Sequence, residues 1–163
     1  VYLTNALTGW DPAKILPKQY IVGMPGLVEE RDAAQHVKQQ ERILVILGNP
    51  PYNAFAGRSP AEEGDLLKPY KIGLTAPEAQ GGWGIKKINL DELYVRFFRI
   101  AEQRIVTTGM GVVCYISSFS YLDKPSFVVM RNRLLKEFDR IWVDCLNGDS
   151  RETGKVTPEG LPD

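Results

Sequence analysis

The residues best equipped for chemistry form one tetrapeptide, Asn49-Pro50-Pro51-Tyr52, directly after an apolar run. An Asn side-chain oxygen accepts hydrogen bonds without carrying charge. The main-chain carbonyl of Pro50 adds a second acceptor, and proline at that position fixes φ and contributes no competing N–H. Two such acceptors can take both hydrogens of a planar amine, the kind of group found at N6 of adenine. The nitrogen is then pulled towards a tetrahedral shape, and its lone pair is released from the ring. Pro51 stiffens the turn, and Tyr52 presents a flat face on which a base can stack. A base from a duplex must leave its stack to reach such a pocket, and stacking offsets part of that cost. The freed amine would attack a methyl donor directly, with proximity and alignment supplying most of the acceleration. No covalent enzyme intermediate is required, in keeping with the lack of a well-placed nucleophilic cysteine.

The same four residues could form a plain rigid turn or a proline-rich ligand segment. Their position argues against both. A ligand segment is exposed and flanked by polar residues, whereas this one follows Ile43-Leu44-Val45-Ile46-Leu47. Five consecutive apolar residues predict a strand buried on both faces of a parallel sheet.

Other chemistries find little support. The single His36 cannot anchor a metal site alone, and no Cys-x-x-Cys or His-x-x-x-His spacing occurs. Cys114 and Cys145 sit within apolar runs and are expected to be buried thiols in a reducing cytoplasm. The chain has 20 basic and 20 acidic residues and a formal net charge of zero. DNA affinity must therefore be local or come from elsewhere in the protein. No apolar run is long enough to span a membrane, and the N-terminus does not read as a signal peptide. The chain of 163 residues has no starting Met and is expected to begin inside a longer protein.

The elements that must position the tetrapeptide follow from patterning. Residues 1–7 read as a short strand, 10–26 as loop, and 27–40 as a polar helix with few core contacts. Residues 53–88 are rich in Gly, Pro and Ala and read as a long mobile loop with a helical turn near 61–67. Leu90, Leu93, Tyr94, Phe97, Phe98, Ala101 and Ile105 recur at helical spacing, predicting a helix over 89–107. Asn89 and Glu92 form a capping-box-like start. A buried strand over 112–116, a helix over 126–138 and a third core strand over 140–146 follow. Residues 147–163 read as a loop or cut end. Arg131, Arg133, Lys136 and Arg140 read as a solvated helix face rather than a phosphate contact. The alternation predicts an α/β domain with a mainly parallel sheet, whose ligands bind beyond the carboxyl ends of the strands. Asn49-Pro50-Pro51-Tyr52 and Ser117-Ser118-Phe119 lie at such ends.

Leu47-Gly48-Asn49-Pro50-Pro51-Tyr52 resembles the catalytic motif of S-adenosylmethionine-dependent amino-methyltransferases acting on adenine N6. Leu93 to Phe98 and Gly111 to Ser117 are similar to the helix and strand that follow that motif. Tyr2 to Leu7 and Asp144 to Ser150 look like single-polypeptide restriction–modification enzymes, which join nuclease, helicase-like, methyltransferase and target-recognition domains. The resemblance implies a Rossmann-like methyltransferase fold, with this chain as the C-terminal part of the domain. It also implies S-adenosylmethionine as cofactor and double-stranded DNA with a flipped adenine as partner, alongside other domains of the parent polypeptide. Asn49 and the Pro50 carbonyl would bind the target amine, and Tyr52 would stack on it. Asn5 would lie near the cofactor adenine, and Phe119 would line the pocket. No strand, Gly-rich loop and helix precede Asn49 as in the family, so the chain is expected to hold the acceptors but only part of the cofactor pocket. The chemistry also suits a protein glutamine amide or an RNA base, and a non-catalytic scaffold is a third reading.

Overall fold

A computed structural model describes residues 2, 4–7, 25–52 and 65–145. The chain divides into two compact units, Val1–Leu66 with Glu92–Tyr115, and Leu67–Asp91 with Ile116–Asp163. Helix and strand are mixed, in keeping with an α/β fold, and the one sheet among the described residues is a parallel pair.

The first unit contains α1 (Pro25–Gln40), β1 (Val45–Gly48), α3 (Leu93–Thr108) and β2 (Val112–Tyr115). Pro25 opens α1, where a missing N–H costs nothing. Only Ala34 and Lys38 of α1 are buried, as a polar helix predicts. In α3, Tyr94, Val95, Arg96, Ile100, Ala101, Glu102 and Ile105 are buried, so the core takes Tyr94, Ala101 and Ile105 of the expected stripe while Leu93, Phe97 and Phe98 are half-buried. The start of α3 differs from expectation. Glu92 is the N-cap, no side chain caps the first turn, and Asn89 lies outside the helix. Leu90 is fully buried and Asp91 pairs with Lys71 at 3.0 Å, and both contacts hold this stretch out of a helical turn.

Strands β1 and β2 pair in parallel, Val45 with Val112 through Gly48 with Tyr115. Gly111 permits the approach. Its φ is +151°, and a Cβ there would stand 2.5 Å from the Leu44 carbonyl oxygen and 2.6 Å from Ile105 Cδ1. The expectation of strands buried on both faces is corrected. Val45, Leu47 and Val112 are 60%, 72% and 59% exposed, while Ile46, Val113 and Tyr115 on the opposite face are half-buried. A pair of strands with one helix beside it has cover for one face only. The two thiols are corrected with it, since Cys114 and Cys145 are both exposed.

The second unit contains α2 (Lys68–Lys71), a 3-10 turn at Glu78–Gln80, α4 (Ser120–Asp123), a 3-10 turn at Pro125–Phe127 and α5 (Val128–Glu137). Leu67, Tyr70, Leu74, Phe127, Met130 and Leu134 are buried. Residues 65–88 thus hold more regular structure than one helical turn at 61–67. Backbone bonds from Trp83 to Gly73, Gly84 to Ala76 and Ile85 to Leu74, at 2.8–3.0 Å, tie this stretch together.

Two expected strands are absent. Residues 140–145 form no strand, and Ile141, Trp142 and Val143 are 46%, 79% and 48% exposed. An apolar run becomes a strand only where a neighbour pairs with it. Near the N-terminus, the Asn5 side chain accepts the Leu7 N–H at 2.9 Å, making a local turn where a strand was expected. Of the expected loop at 10–26, Pro25 and Gly26 instead open α1, and its residues 10–24, with 53–64 and 147–163, lie outside the described residues. Among the described residues no helix is long and apolar enough to cross a membrane, and no cluster of three metal-ligating side chains occurs.

Candidate amine-binding site

Strand β1 delivers the tetrapeptide. Its last residue, Gly48, pairs with Tyr115, so Asn49 begins where the ladder ends. Pro50 is buried while Asn49, Pro51 and Tyr52 are exposed. A buried, φ-restricted proline anchors the segment between two accessible functional groups. Tyr52 Oη donates to Asn49 Oδ1 at 2.8 Å. That bond marks the oxygen end of the amide and leaves the oxygen a second lone pair for another donor.

Beside the motif is a cavity of about 310 Å³ lined by Ala6, Ile43, Ile46, Phe97, Ile100 and Tyr115, with Leu47 to Pro51 completing its wall. It combines apolar surface with few polar groups, as small-molecule sites commonly do. Ala6 reaches it because Lys38 holds the preceding residues. Lys38 is 7% exposed, and its ammonium donates to Thr4 Oγ1 at 2.8 Å and the Asn5 carbonyl oxygen at 2.6 Å. Burial lowers the Lys38 pKa from its ordinary 10.5.

An aromatic series braces the strand end from α3. Tyr94 and Phe98 meet edge-on at 6.3 Å, and Phe98 meets Tyr115 at 5.2 Å with their planes at 90°. Tyr115 Oη also lies 3.4 Å from the Phe97 carbonyl oxygen, a long hydrogen bond. Burial pushes the Tyr115 phenol from 10.0 up to about 12. The group therefore stays protonated through the physiological range and serves as a donor, not a base. Because folding favours the neutral phenol, its contribution to stability is complete below pH 10 and is lost as pH rises through about 12. Burial raises Tyr121 as well, so phenolate absorbance should show a late-titrating component that shrinks, without vanishing, in a Tyr115→Phe variant. Loss of a component titrating near the ordinary value would contradict this.

The expected site residues separate into groups. Asn49, Pro50 and Pro51 line the cavity, and Tyr52, which does not line it, is joined to Asn49 by its hydroxyl. The Asn5 side chain is engaged in its own turn, and its neighbour Ala6 supplies the cavity wall. Phe119 stands at the start of α4 in the second unit, 36% exposed, its carbonyl accepting the Leu122 N–H at 2.9 Å. Arg131 on α5 donates to the Tyr121 and Lys124 carbonyls at 2.9 Å each, a structural use of its charge. Sequence reasoning missed Lys38 and Tyr115. Lys38 looked like one more charge on a polar helix, and nothing local distinguishes it. The alternation of β2 could have flagged Tyr115, since Val113 and Tyr115 share the face turned to α3.

Of the described residues that line the cavity, only Asn49 and Tyr115 carry polar side-chain atoms. Neither matches the charged amino-acid end of S-adenosylmethionine, so the lining does not fit that cofactor as a whole.

No protein-family profile matches the chain. No curated protein matches it either. Among solved structures, a cryo-electron-microscopy structure of a DrdV–DNA complex is similar. The TM-score is 0.52 and the identity 25%, over 70% of this chain and 11% of that one. The chain thus spans about a tenth of the length of that neighbour.

Proposed function

We propose that this chain carries the amine-binding elements of a DNA adenine-N6 methyltransferase, within a Rossmann-like domain of a restriction–modification protein. The observation that carries the reading is the placement of Asn49-Pro50 at the carboxyl end of a parallel strand, beside an apolar cavity. Open α/β sheets bind their ligands at such ends. The likeness to a chain solved in complex with DNA supports DNA as the substrate. In this reading Asn49 Oδ1 and the Pro50 carbonyl accept the two amine hydrogens, and Tyr52 stacks on the ring. Stacking on an aromatic side chain contributes about 1–3 kcal/mol per base. S-adenosylmethionine would supply the methyl group, although the described lining does not by itself fit it.

Incubating the complete polypeptide that carries these residues with radiolabelled S-adenosylmethionine tests this. Label is expected in duplex DNA, and specifically as N6-methyladenine. Label in RNA or a protein glutamine instead, or in none of the three, would overturn it.

A further inference from the structure

We infer that Gly48 and Tyr115 are positioning residues for the Asn49–Pro50 acceptor pair, an assignment that rests on the amine-binding reading above. The two are cross-strand partners at the end of the ladder. A Cβ at position 48 would stand 3.2 Å from Tyr115 Cε1 and 3.5 Å from Cδ1. The first distance is tighter than ordinary packing, so a side chain there displaces either the ring or the strand end. Phe98, edge-on at 5.2 Å, and the Phe97 carbonyl hold the ring on its α3 side, while its other side borders the cavity. Displacement that the ring does not take up passes to the strand end, whose next residues are Asn49 and the buried Pro50. Hydrogen-bond strength falls steeply with poor alignment. A shift of a few tenths of an ångström weakens recognition of an amine more than contact with a ring.

Two nucleosides separate these effects. Adenosine carries the 6-amino group, and purine riboside lacks it while keeping the ring. Both are titrated into this chain and followed by the NMR signal of the Asn49 side-chain amide. Wild type should favour adenosine by about tenfold, the order supplied by one or two net hydrogen bonds. Gly48→Ala should reduce that preference to about twofold or less, with purine riboside affinity unchanged. Gly48→Ala combined with Tyr115→Leu should recover the preference, since the shorter side chain makes room for the added methyl.

A Gly48→Ala chain that keeps its full preference overturns the inference and leaves the amine-binding reading standing. Equal loss of both nucleosides also overturns it, because the glycine is then needed only for the fold. Failure of the double variant to recover removes Tyr115 from the assignment. A wild-type chain with no preference for adenosine overturns the amine-binding reading itself.

Discussion

Replacing Asn49 with alanine should lower methyl transfer by about 10²–10³-fold, the scale on which losing one pre-positioned hydrogen-bonding group slows an enzyme. The fold should hardly respond. Asn49 is exposed, and its side-chain oxygen accepts the Tyr52 hydroxyl at 2.8 Å. Surface changes of that kind usually alter stability by less than about 0.5 kcal/mol. The measurement is a pair: turnover with labelled S-adenosylmethionine in the complete polypeptide, and thermal unfolding of the variant. Activity within threefold of wild type would remove Asn49 from the assigned role. A large drop in melting temperature would show that the residue supports the fold instead.

The second large effect is on stability. Tyr94 is fully buried on α3 and meets Phe98 edge-on at 6.3 Å. Truncating a buried aromatic to alanine typically costs about 3–5 kcal/mol, through lost transfer energy and the cavity left behind. Tyr94→Ala should show a cost of that order in denaturant unfolding. The damage should not stay local, because Phe98 in turn supports Tyr115, which lies across from Gly48. Loosening one end of this series should broaden the NMR signals of Asn49 at the other. A cost below about 1 kcal/mol would show that the pocket collapses around the deletion, and that the series does not brace the motif.

The parts of the molecule that were legible in the sequence are those with local causes. The apolar stripe from Leu93 to Ile105 repeats at helical spacing, and the helix forms there with Tyr94, Ala101 and Ile105 of that stripe buried. Asn-Pro-Pro-Tyr reads as a stiff turn with acceptors because proline restricts the backbone wherever it occurs. The misread parts depend on partners distant in sequence. Ile43 to Leu47 and Ile141 to Val143 are both apolar, yet only the first became a strand, because β2 lies beside it. Burial of the strands was overestimated for a related reason. Composition reports what a face prefers to touch, not whether anything covers it. The start of α3 shows the converse, where the tertiary contacts of Leu90 and Asp91 overrode a reasonable capping pattern. Lys38 is the extreme case. Its role exists only because Thr4 and Asn5, more than thirty residues away, fold against it.

The uncovered face of the two-stranded sheet matters for handling the protein. Val45, Leu47, Val112 and Cys114 form an apolar, thiol-bearing surface on a strand pair whose outer edges carry no further strand among the described residues. Unpaired strand edges are templates for adding further strands. At high concentration the isolated chain should self-associate, and in air it should also form reducible Cys114-linked dimers. Sedimentation velocity across a dilution series, with and without reductant, would reveal both. A Leu47→Lys variant should stay monomeric, and monomeric behaviour of wild type at every concentration would contradict the expectation. Crystallisation or binding studies of this chain should therefore begin from reduced, dilute samples.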